Sequence, residues 1–158
     1  MSAELMTLRS PLGVLTVSAD AGVLLGIRFS STDFGRRPAA PALQSLANRL
    51  KAYFDGDLRA LDTISVDPEG TRFQREVWKT LHRIPAGQTW SYAELARAVG
   101  RPDAVRAVGA ANGANPIPIV IPCHRVIGAD GRLVGYGGGL ERKRWLLTHE
   151  GVKLPAYC

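Results

Sequence analysis

Cysteine is scarce in this sequence. Only Cys123 and Cys158 occur in the chain of 158 residues, which excludes a disulfide framework of the kind that staples small secreted proteins. A bridge between the two is chemically possible, but a reducing compartment would keep both thiols free, as we expect here. Cysteine, histidine and carboxylate residues nowhere show the spacing of a zinc site, so we expect no metal and no cofactor.

Long apolar runs are also missing. No segment approaches the roughly 20 apolar residues that a membrane-spanning helix needs, and the first residues lack the basic-then-apolar pattern of a secretory signal. Apolar residues still make up 46% of the chain, enough to bury a core. We therefore expect a cytoplasmic protein without a membrane partner, built as one domain or as two small lobes.

Positive charge is in excess and unevenly distributed. The net charge is +6, and residues 67–158 carry 13 basic and 8 acidic side chains against 7 and 6 in residues 1–66. A solvated basic surface explains this balance, and charge alone favours that interpretation. Attraction to a polyanion such as DNA explains it as well, because Lys and Arg that neutralise phosphates release counterions.

The apolar pattern predicts two lobes, residues 1–66 and 67–158. The first should hold a small antiparallel meander, a helix ending near Gly56, and a further strand over 61–66. The strands of the meander are predicted at Leu5–Arg9, Val14–Ala19 and Val23–Phe29, and the helix carries Leu43, Leu46, Leu50 and Tyr53 on one face.

The second lobe reads as mostly helical. Thr71 with Gln74, and Ser91 with Glu94, have the spacing of capping boxes that begin helices. Gly100 suits a left-handed cap, and a helix from Pro102 to Asn112–Gly113 would complete a helix-turn-helix pair. A hairpin over 126–134 and a final helix over 140–150 complete the lobe.

Cys123 is the cysteine that stands beside a histidine. A free thiol has a pKa of about 8.5, so a base such as His124 would be needed to make it nucleophilic at neutral pH. Neighbouring side chains point apart in an extended segment, so contact requires irregular backbone or a bridging water. From the dipeptide alone, a buried structural cysteine is the favoured interpretation. Glu150 changes that balance, because a carboxylate in the last turn of a helix opposes the dipole unless a partner such as His124 compensates.

The second helix of the predicted pair has an unusual outer face. Arg106 lies among Ala107, Gly109, Ala110 and Gly113, so one long cation projects from a surface of small side chains. Small residues let a helix approach a DNA backbone closely, but they suit tight packing within the protein equally well. The pattern leaves both interpretations open.

Taken together, these motifs resemble the O6-alkylguanine-DNA alkyltransferases, also called methylated-DNA–protein-cysteine methyltransferases. The resemblance covers about residues 71–154 and is specific because the segments occur in order. They are FQREVW (73–78), SY (91–92), RAVG (106–109), NP (115–116), IPCHRV (121–126), GYGGG (135–139) and WLLTHE (145–150). The resemblance implies an α+β fold: a small N-terminal ribonuclease-H-like antiparallel sheet lobe and a mostly helical C-terminal lobe with a winged helix-turn-helix.

The resemblance also implies an activity. Cys123 would irreversibly accept the alkyl group from O6-alkylguanine, and from O4-alkylthymine, flipped out of double-stranded DNA. The protein would act once, as a monomer or clustered on DNA. Implied catalytic residues are Cys123, His124, Glu150, Tyr92 and Asn115; DNA-binding residues are Arg106, Ala107, Gly109 and Tyr92; pocket residues are Val126, Tyr136, Gly137, Gly138 and Pro118. Gly137 stands where some members have Ser, which removes a side-chain contact but leaves the backbone N–H.

Three other functions account for fewer of these motifs. A lesion-binding sensor of the same family would lack the cysteine. A cysteine hydrolase would use Cys123 and His124 but leaves Arg106 and the helix-turn-helix without a role. A redox-sensing transcription regulator would need a dimer seam or a resolving cysteine, and the sequence indicates neither.

Overall fold

The computed structural model describes residues 3–30 and 41–154, and Cys158 lies outside these ranges. The chain divides into two compact units, Met1–Glu69 and Gly70–Cys158. Among the described residues, no helix is both long and apolar enough to cross a membrane.

The first unit contains the predicted meander and helix. Strands β1 (Glu4–Ser10), β2 (Gly13–Asp20) and β3 (Val23–Ser30) pair antiparallel in the order β1-β2-β3. Alternate residues of β2 are buried, which is the pattern of a sheet with one face against a core. Helix α1 (Pro41–Phe54) buries the apolar face that the sequence predicted, with Leu50 and Tyr53 fully inaccessible.

The strand predicted over 61–66 is wrong. This segment forms turns, with Ile64 N–H donating to Leu61 O over 3.3 Å, and only Val66 makes a single parallel bridge with Leu24. The buried side chains of the segment, Leu61 and Ile64, are three residues apart. That spacing belongs to a tight helical turn and not to the alternation of a strand.

The second unit is mostly helical, as predicted. Both capping boxes form: Thr71 precedes α2 and Ser91 precedes α3, each bonded reciprocally to the residue three positions on. The elements are α2 (Arg72–Leu81), β4 (Trp90–Ser91), α3 (Tyr92–Val99), α4 (Val105–Gly113), β5 (Val126–Ile127) and α5 (Leu140–His149).

Helices α3 and α4 form the helix-turn-helix pair. Gly100 ends α3 at a φ of +84°, the left-handed conformation predicted for this cap. Helix α4 begins later than expected, at Val105, because Pro102 lies in the turn before it. Trp78 on α2 donates its indole N–H to Ala111 O over 2.8 Å, which anchors the C-terminal half of α4 to the core.

The hairpin predicted over 126–134 is also wrong. A turn does close there, with Gly128 N–H donating to Arg132 O over 2.8 Å, but the two arms do not pair as strands. Instead β5 pairs in parallel with β4, through Trp90 with Val126 and Ser91 with Ile127. This pairing places the segment that follows Cys123 next to the start of α3.

Candidate active site

Cys123 lies in a short irregular segment below α4. Residues Cys123–Arg125 form a 3-10 turn in which Arg125 N–H donates to Pro122 O over 3.0 Å. Earlier in the segment, Ile119 has a φ of +75°, a conformation that a β-branched residue adopts only when its surroundings impose it. The backbone around the cysteine is therefore irregular and not extended. Irregular backbone is the condition under which the neighbouring side chains of Cys123 and His124 can come into contact.

A buried ion-pair network lies beside the cysteine. The carboxylate of Glu150 is 2.9 Å from His124 Nε2, and both side chains are inaccessible to solvent. Arg125 makes two parallel hydrogen bonds to the same carboxylate, from Nε over 2.8 Å and from Nη2 over 2.9 Å. A third donor of Arg125, Nη1, reaches Ile84 O over 2.6 Å. Arg125 is not among the site residues that the sequence predicts, because nothing in its spacing distinguishes it from a surface arginine.

Burial and the neighbouring charges set the protonation of His124 and Glu150. Burial would raise the pKa of the Glu150 carboxyl, but hydrogen bonds from His124 and Arg125 outweigh it and hold that pKa well below its usual range. Burial lowers the pKa of His124, and Glu150 opposes that shift only in part. The imidazole is therefore neutral, with Nε2–H donating to the carboxylate and Nδ1 left as an acceptor.

The thiol itself is protonated at rest. Cys123 is only 5% exposed, and this burial raises the pKa of its thiol to about 11. A hydrogen bond from the Asn115 side chain and the charge of Lys143 oppose the shift without cancelling it. A base must therefore remove the proton for the thiol to react as a thiolate.

Two asparagines connect α4 to the cysteine segment. Asn115, just after the helix, donates to Ile121 O over 2.8 Å and accepts from Ile117 N–H over 2.9 Å. Asn112, in the last turn of α4, donates its Nδ2 to Cys123 O over 3.3 Å. The resemblance pointed to Asn115 but not to Asn112, although a buried polar residue among alanines was a visible signal.

Tyr92 on α3 and Lys143 on α5 lie near enough to the thiol of Cys123 to interact with it electrostatically. The Tyr92 hydroxyl donates to Val134 O over 2.9 Å, and Lys143 Nζ donates to the same carbonyl over 2.9 Å and to Gly135 O over 3.1 Å. Burial lowers the pKa of Lys143 to about 8, and the nearby Cys123 opposes that shift. Burial, reinforced by Cys123, raises the pKa of Tyr92, so its phenol keeps its proton at neutral pH.

Lys143 was missed from the sequence, although its position carried a signal. It shares one face of α5 with Leu146, Leu147 and Glu150, three, four and seven residues on. Lysine at such a position must either extend along the core to solvent or find buried acceptors. Here it is fully buried and holds the backbone of the loop that follows Val134.

The residues implied for the pocket come from two stretches of the second unit, the cysteine segment and the loop after Val134. Val126 is buried directly after the cysteine turn, and Pro118 is half-buried in the segment that leads to it. Tyr136 is close enough to Cys123 for the thiol to raise its pKa, although burial is the larger cause. Gly137 lies beside the end of α4, since a Cβ there would be 3.9 Å from Gly113 O, and Gly138 O accepts from Arg142 over 2.9 Å.

The outer face of α4 carries the predicted cation. Arg106, Ala107 and Ala110 are exposed on this helix. Gly109, which the sequence analysis placed on the same outer face, is instead half-buried against Tyr92: a Cβ there would lie 3.5 Å from the Tyr92 ring. A side chain at position 109 would therefore pack against Tyr92, and the surface available to a partner is formed by Arg106, its alanines and the exposed Gly113.

Within the described residues, no group of three or more His, Cys, Asp or Glu side chains is placed to hold a metal ion. The donors around the thiol are instead amide, ammonium and phenol groups. Such groups stabilise negative charge on sulfur or on a leaving group. The buried thiol therefore has groups near it that can stabilise negative charge.

Two family models match the chain along most of its length. The ribonuclease-like domain of 6-O-methylguanine DNA methyltransferase matches residues 5–68, and the DNA binding domain of the same protein matches residues 72–152. A methylated-DNA–protein-cysteine methyltransferase of Shigella flexneri is 53% identical over 131 residues, which is 83% of this chain and 76% of that protein. One of Mycolicibacterium paratuberculosis is 48% identical over 97% of this chain and 95% of its own length.

Solved structures give the same result. The O6-methylguanine methyltransferase of Mycobacterium tuberculosis superposes with a TM-score of 0.83 at 44% identity, covering 98% of this chain and 96% of that one. The OGT of the same organism in complex with DNA has a TM-score of 0.81 at 44% identity, covering 93% and 92%. Matched in sequence over both units and in structure over nearly its whole length, the chain belongs to the methylated-DNA–protein-cysteine methyltransferase family.

Proposed function

We propose that this protein repairs DNA by moving the alkyl group of O6-alkylguanine onto Sγ of Cys123, and that it acts once. The observation that carries the proposal is a buried thiol beside a neutral His124 that Glu150 and Arg125 hold in place. The relatives named for methyl transfer from DNA to a protein cysteine, and the related OGT in complex with DNA, support the same activity.

The transfer is an in-line displacement at a saturated carbon. The Cys123 proton passes to His124, and the sulfur lone pair forms a new S–C bond while the C–O6 bond breaks and its electron pair stays on guanine. Guanine is a poor leaving group until a donor neutralises this developing charge. Tyr92 is suited to that role because burial keeps its phenol protonated. It must first exchange its bond to Val134 O for one to the base.

The product explains why the protein is consumed. Alkylated Cys123 is a thioether, which has no carbonyl for water to attack, so no step analogous to deacylation restores the thiol. Cys123 is the one cysteine among the described residues, so these residues contain no second thiol that could take the alkyl group from it. Each molecule therefore repairs one lesion.

Burial of the thiol requires the damaged nucleotide to leave the helix. A base within a duplex cannot reach a sulfur that is only 5% exposed, so the nucleotide must be extruded at a cost of a few kcal/mol. Helix α4 is suited to support this step, because its exposed face of small side chains can fit closely into a DNA groove and Arg106 projects from that face. We assign Arg106 to the space that the extruded nucleotide leaves.

The decisive experiment is a measurement of intact mass. Incubation with duplex DNA that carries O6-methylguanine should add one methylene to the protein, at one equivalent and no more, with peptide mapping placing it on Cys123. Undamaged duplex of the same sequence is the control. Unmodified protein that still binds the lesion would indicate a sensor, and repeated turnover of an acyl substrate would indicate a hydrolase; either result would contradict the proposal.

The role of Arg106 predicts a difference between two substrates. The change Arg106→Ala should slow repair of duplex O6-methylguanine by about tenfold or more, since it removes a charged group that stabilises the extruded state. Reaction with free O6-benzylguanine should stay within about twofold of the original rate, because the substitution is on an exposed face away from the thiol. The measurement compares single-turnover rates on both substrates, and an equal loss on both would rule out the extrusion role.

A further inference from the structure

Asn112 has a buried carbonyl oxygen that no group within residues 3–30 and 41–154 satisfies. The residue lies in the last turn of α4 and is 3% exposed, and its Oδ1 has no hydrogen-bond partner in these ranges. Buried polar atoms are nearly always hydrogen-bonded, either to protein or to an ordered molecule such as water. This acceptor therefore indicates that a donor from outside the chain binds beside it.

The oxygen can be assigned because the other end of the same amide has a defined partner. Asn112 Nδ2 is 3.3 Å from Cys123 O, and a carbonyl oxygen only accepts, so this end is the NH2 group and the unpartnered end is Oδ1. The two ends of an amide are about 2.3 Å apart, so Oδ1 lies no more than about 5.6 Å from Cys123 O. The unpartnered acceptor thus lies beside the backbone of the nucleophile.

The backbone carbonyl of Cys123 is itself already satisfied. It accepts from Val126 N–H as well as from Asn112 Nδ2, and a carbonyl oxygen has two lone pairs. A donor that enters next to the cysteine therefore finds its open acceptor on the side chain of Asn112 and not on this carbonyl.

The same end of α4 lies next to the loop that follows the cysteine turn. A Cβ on Gly137 of that loop would be 3.9 Å from Gly113 O, which adjoins Asn112. Tyr136 of the loop is close enough to the thiol of Cys123 for the two groups to interact electrostatically. Asn112 therefore belongs to the region that an alkylated base has to enter to reach the thiol.

O6-alkylguanine has one kind of donor to offer such an acceptor. Alkylation at O6 removes the proton from N1, so the exocyclic amino group is the only N–H donor that remains on the base. This group lies on the same edge as O6, separated from it by one ring nitrogen. O4-alkylthymine has no N–H donor at all, because alkylation at O4 removes the proton from N3.

We propose that Asn112 Oδ1 accepts a hydrogen bond from the exocyclic amino group of O6-alkylguanine, which makes Asn112 a specificity-determining residue that favours guanine lesions over thymine lesions. A base without this donor leaves the oxygen unpaired and shuts it off from water, which is costly for a buried acceptor. The inference rests on the proposed function, because it concerns a base that is bound for alkyl transfer.

A cycle of two proteins and two substrates tests this contact. The substrates are identical duplexes with either O6-methylguanine or O6-methylhypoxanthine, which lacks only the amino group. The proteins are the full chain and Asn112→Leu, which is close in volume but has no acceptor. The unsubstituted protein should react faster with O6-methylguanine, and Asn112→Leu should reduce this preference about tenfold in single-turnover rates. Differences in the cost of extruding the two bases cancel, because both proteins act on the same duplexes.

A third duplex, with O4-methylthymine, is the control substrate. It offers Asn112 no donor, so Asn112→Leu should react with it within about twofold of the original rate. Cys123 O keeps its bond from Val126 N–H in the variant, so a loss confined to O6-methylguanine reports the missing acceptor. An unchanged preference between the two purines, whether their rates fall equally or not at all, would overturn the proposal. Failure of the unsubstituted protein to accept methyl from O6-methylguanine would instead reject the proposed function.

A crystal structure provides a check that does not depend on whether Asn112→Leu folds. In Cys123→Ala bound to duplex DNA with O6-methylguanine, no transfer takes place, so the complex is the one that precedes the reaction. The amino nitrogen of the base should be within about 3.2 Å of Asn112 Oδ1. An amino group that bonds elsewhere, with Asn112 Oδ1 bonded to water or to another donor, would overturn the inference.

Discussion

Replacement of Cys123 by Ala should abolish alkyl transfer and leave DNA binding intact. The sulfur is the only atom of this residue that can form the new bond, so no gain in mass should be detectable. The dissociation constant for duplex DNA should change by no more than about twofold, because the residue is 5% exposed and lies below the helix that carries Arg106. Intact mass measures the first effect, and fluorescence anisotropy with labelled duplex measures the second.

The chain offers a matched control for this change. Cys158 is the only other cysteine, so Cys158→Ala should transfer the alkyl group at the original rate and to the full stoichiometry. A methylated Cys123→Ala protein would reveal a second nucleophile, and Cys158 would be the first candidate. Loss of both transfer and binding in Cys123→Ala would instead show that the substitution disturbs the fold, which thermal unfolding would detect directly.

Local signals made most of the helical unit predictable. Thr71 and Ser91 each bring a partner three residues on, and both capping boxes form where the sequence places them. Gly100 adopts the positive φ that its position after α3 suggested. These features depend on residues within one or two helical turns, so the sequence contains all the information needed to place them.

Features that depend on distant partners were harder to predict. The segment after Cys123 reads as a hairpin because a turn signal lies within it, but β5 pairs with β4, which is 36 residues earlier at Trp90 and Val126. Strand pairing is decided by the whole unit, and a turn signal cannot reveal it. The same reason explains Arg125, whose acceptors at Ile84 and Glu150 are 41 and 25 residues away.

The site was recognised mainly through its motif, and the structure adds its physical basis. A Cys–His dipeptide by itself favours a structural cysteine, and Glu150 raised the functional alternative because it opposes the helix dipole. The structure shows what compensates for that unfavourable position: His124 and two donors of Arg125 surround the carboxylate. Burial, assisted by the charges of Arg125 and Lys143, lowers the pKa of His124 although Glu150 opposes that shift, so the imidazole stays neutral within the network.

Because Arg125 completes this network, Arg125→Leu should cause the largest loss of stability of any single change in the site. It leaves the buried Glu150 carboxylate without two of its donors and leaves Ile84 O unpaired. Removing one partner of a buried ion pair costs about 3–5 kcal/mol, because the remaining charge stays desolvated. We therefore expect the free energy of unfolding to fall by that amount at pH 7.5.

Urea unfolding followed by tryptophan fluorescence measures this loss of stability in the unit that contains Arg125. All three tryptophans, Trp78, Trp90 and Trp145, lie in the second unit, so the signal reports on that unit alone. Arg72→Leu is the matched control, since Arg72 pairs with Glu76 at 3.5 Å but is 95% exposed. Exposed pairs of this kind contribute at most about 1 kcal/mol, so the control should unfold almost like the original protein.

The pH dependence of the loss distinguishes an electrostatic cause from lost packing. Arg125 lowers the pKa of both His124 and Glu150, so its removal raises both, and the folded variant binds more protons than the folded original. A folded state with raised pKa values is relatively more stable at low pH and loses that advantage as pH rises. The difference in unfolding free energy between variant and original should therefore be larger at pH 8 than at pH 6. If the difference in unfolding free energy does not vary with pH, the loss is due to packing. If the loss in Arg125→Leu is no greater than that in Arg72→Leu, the network does not stabilise the site.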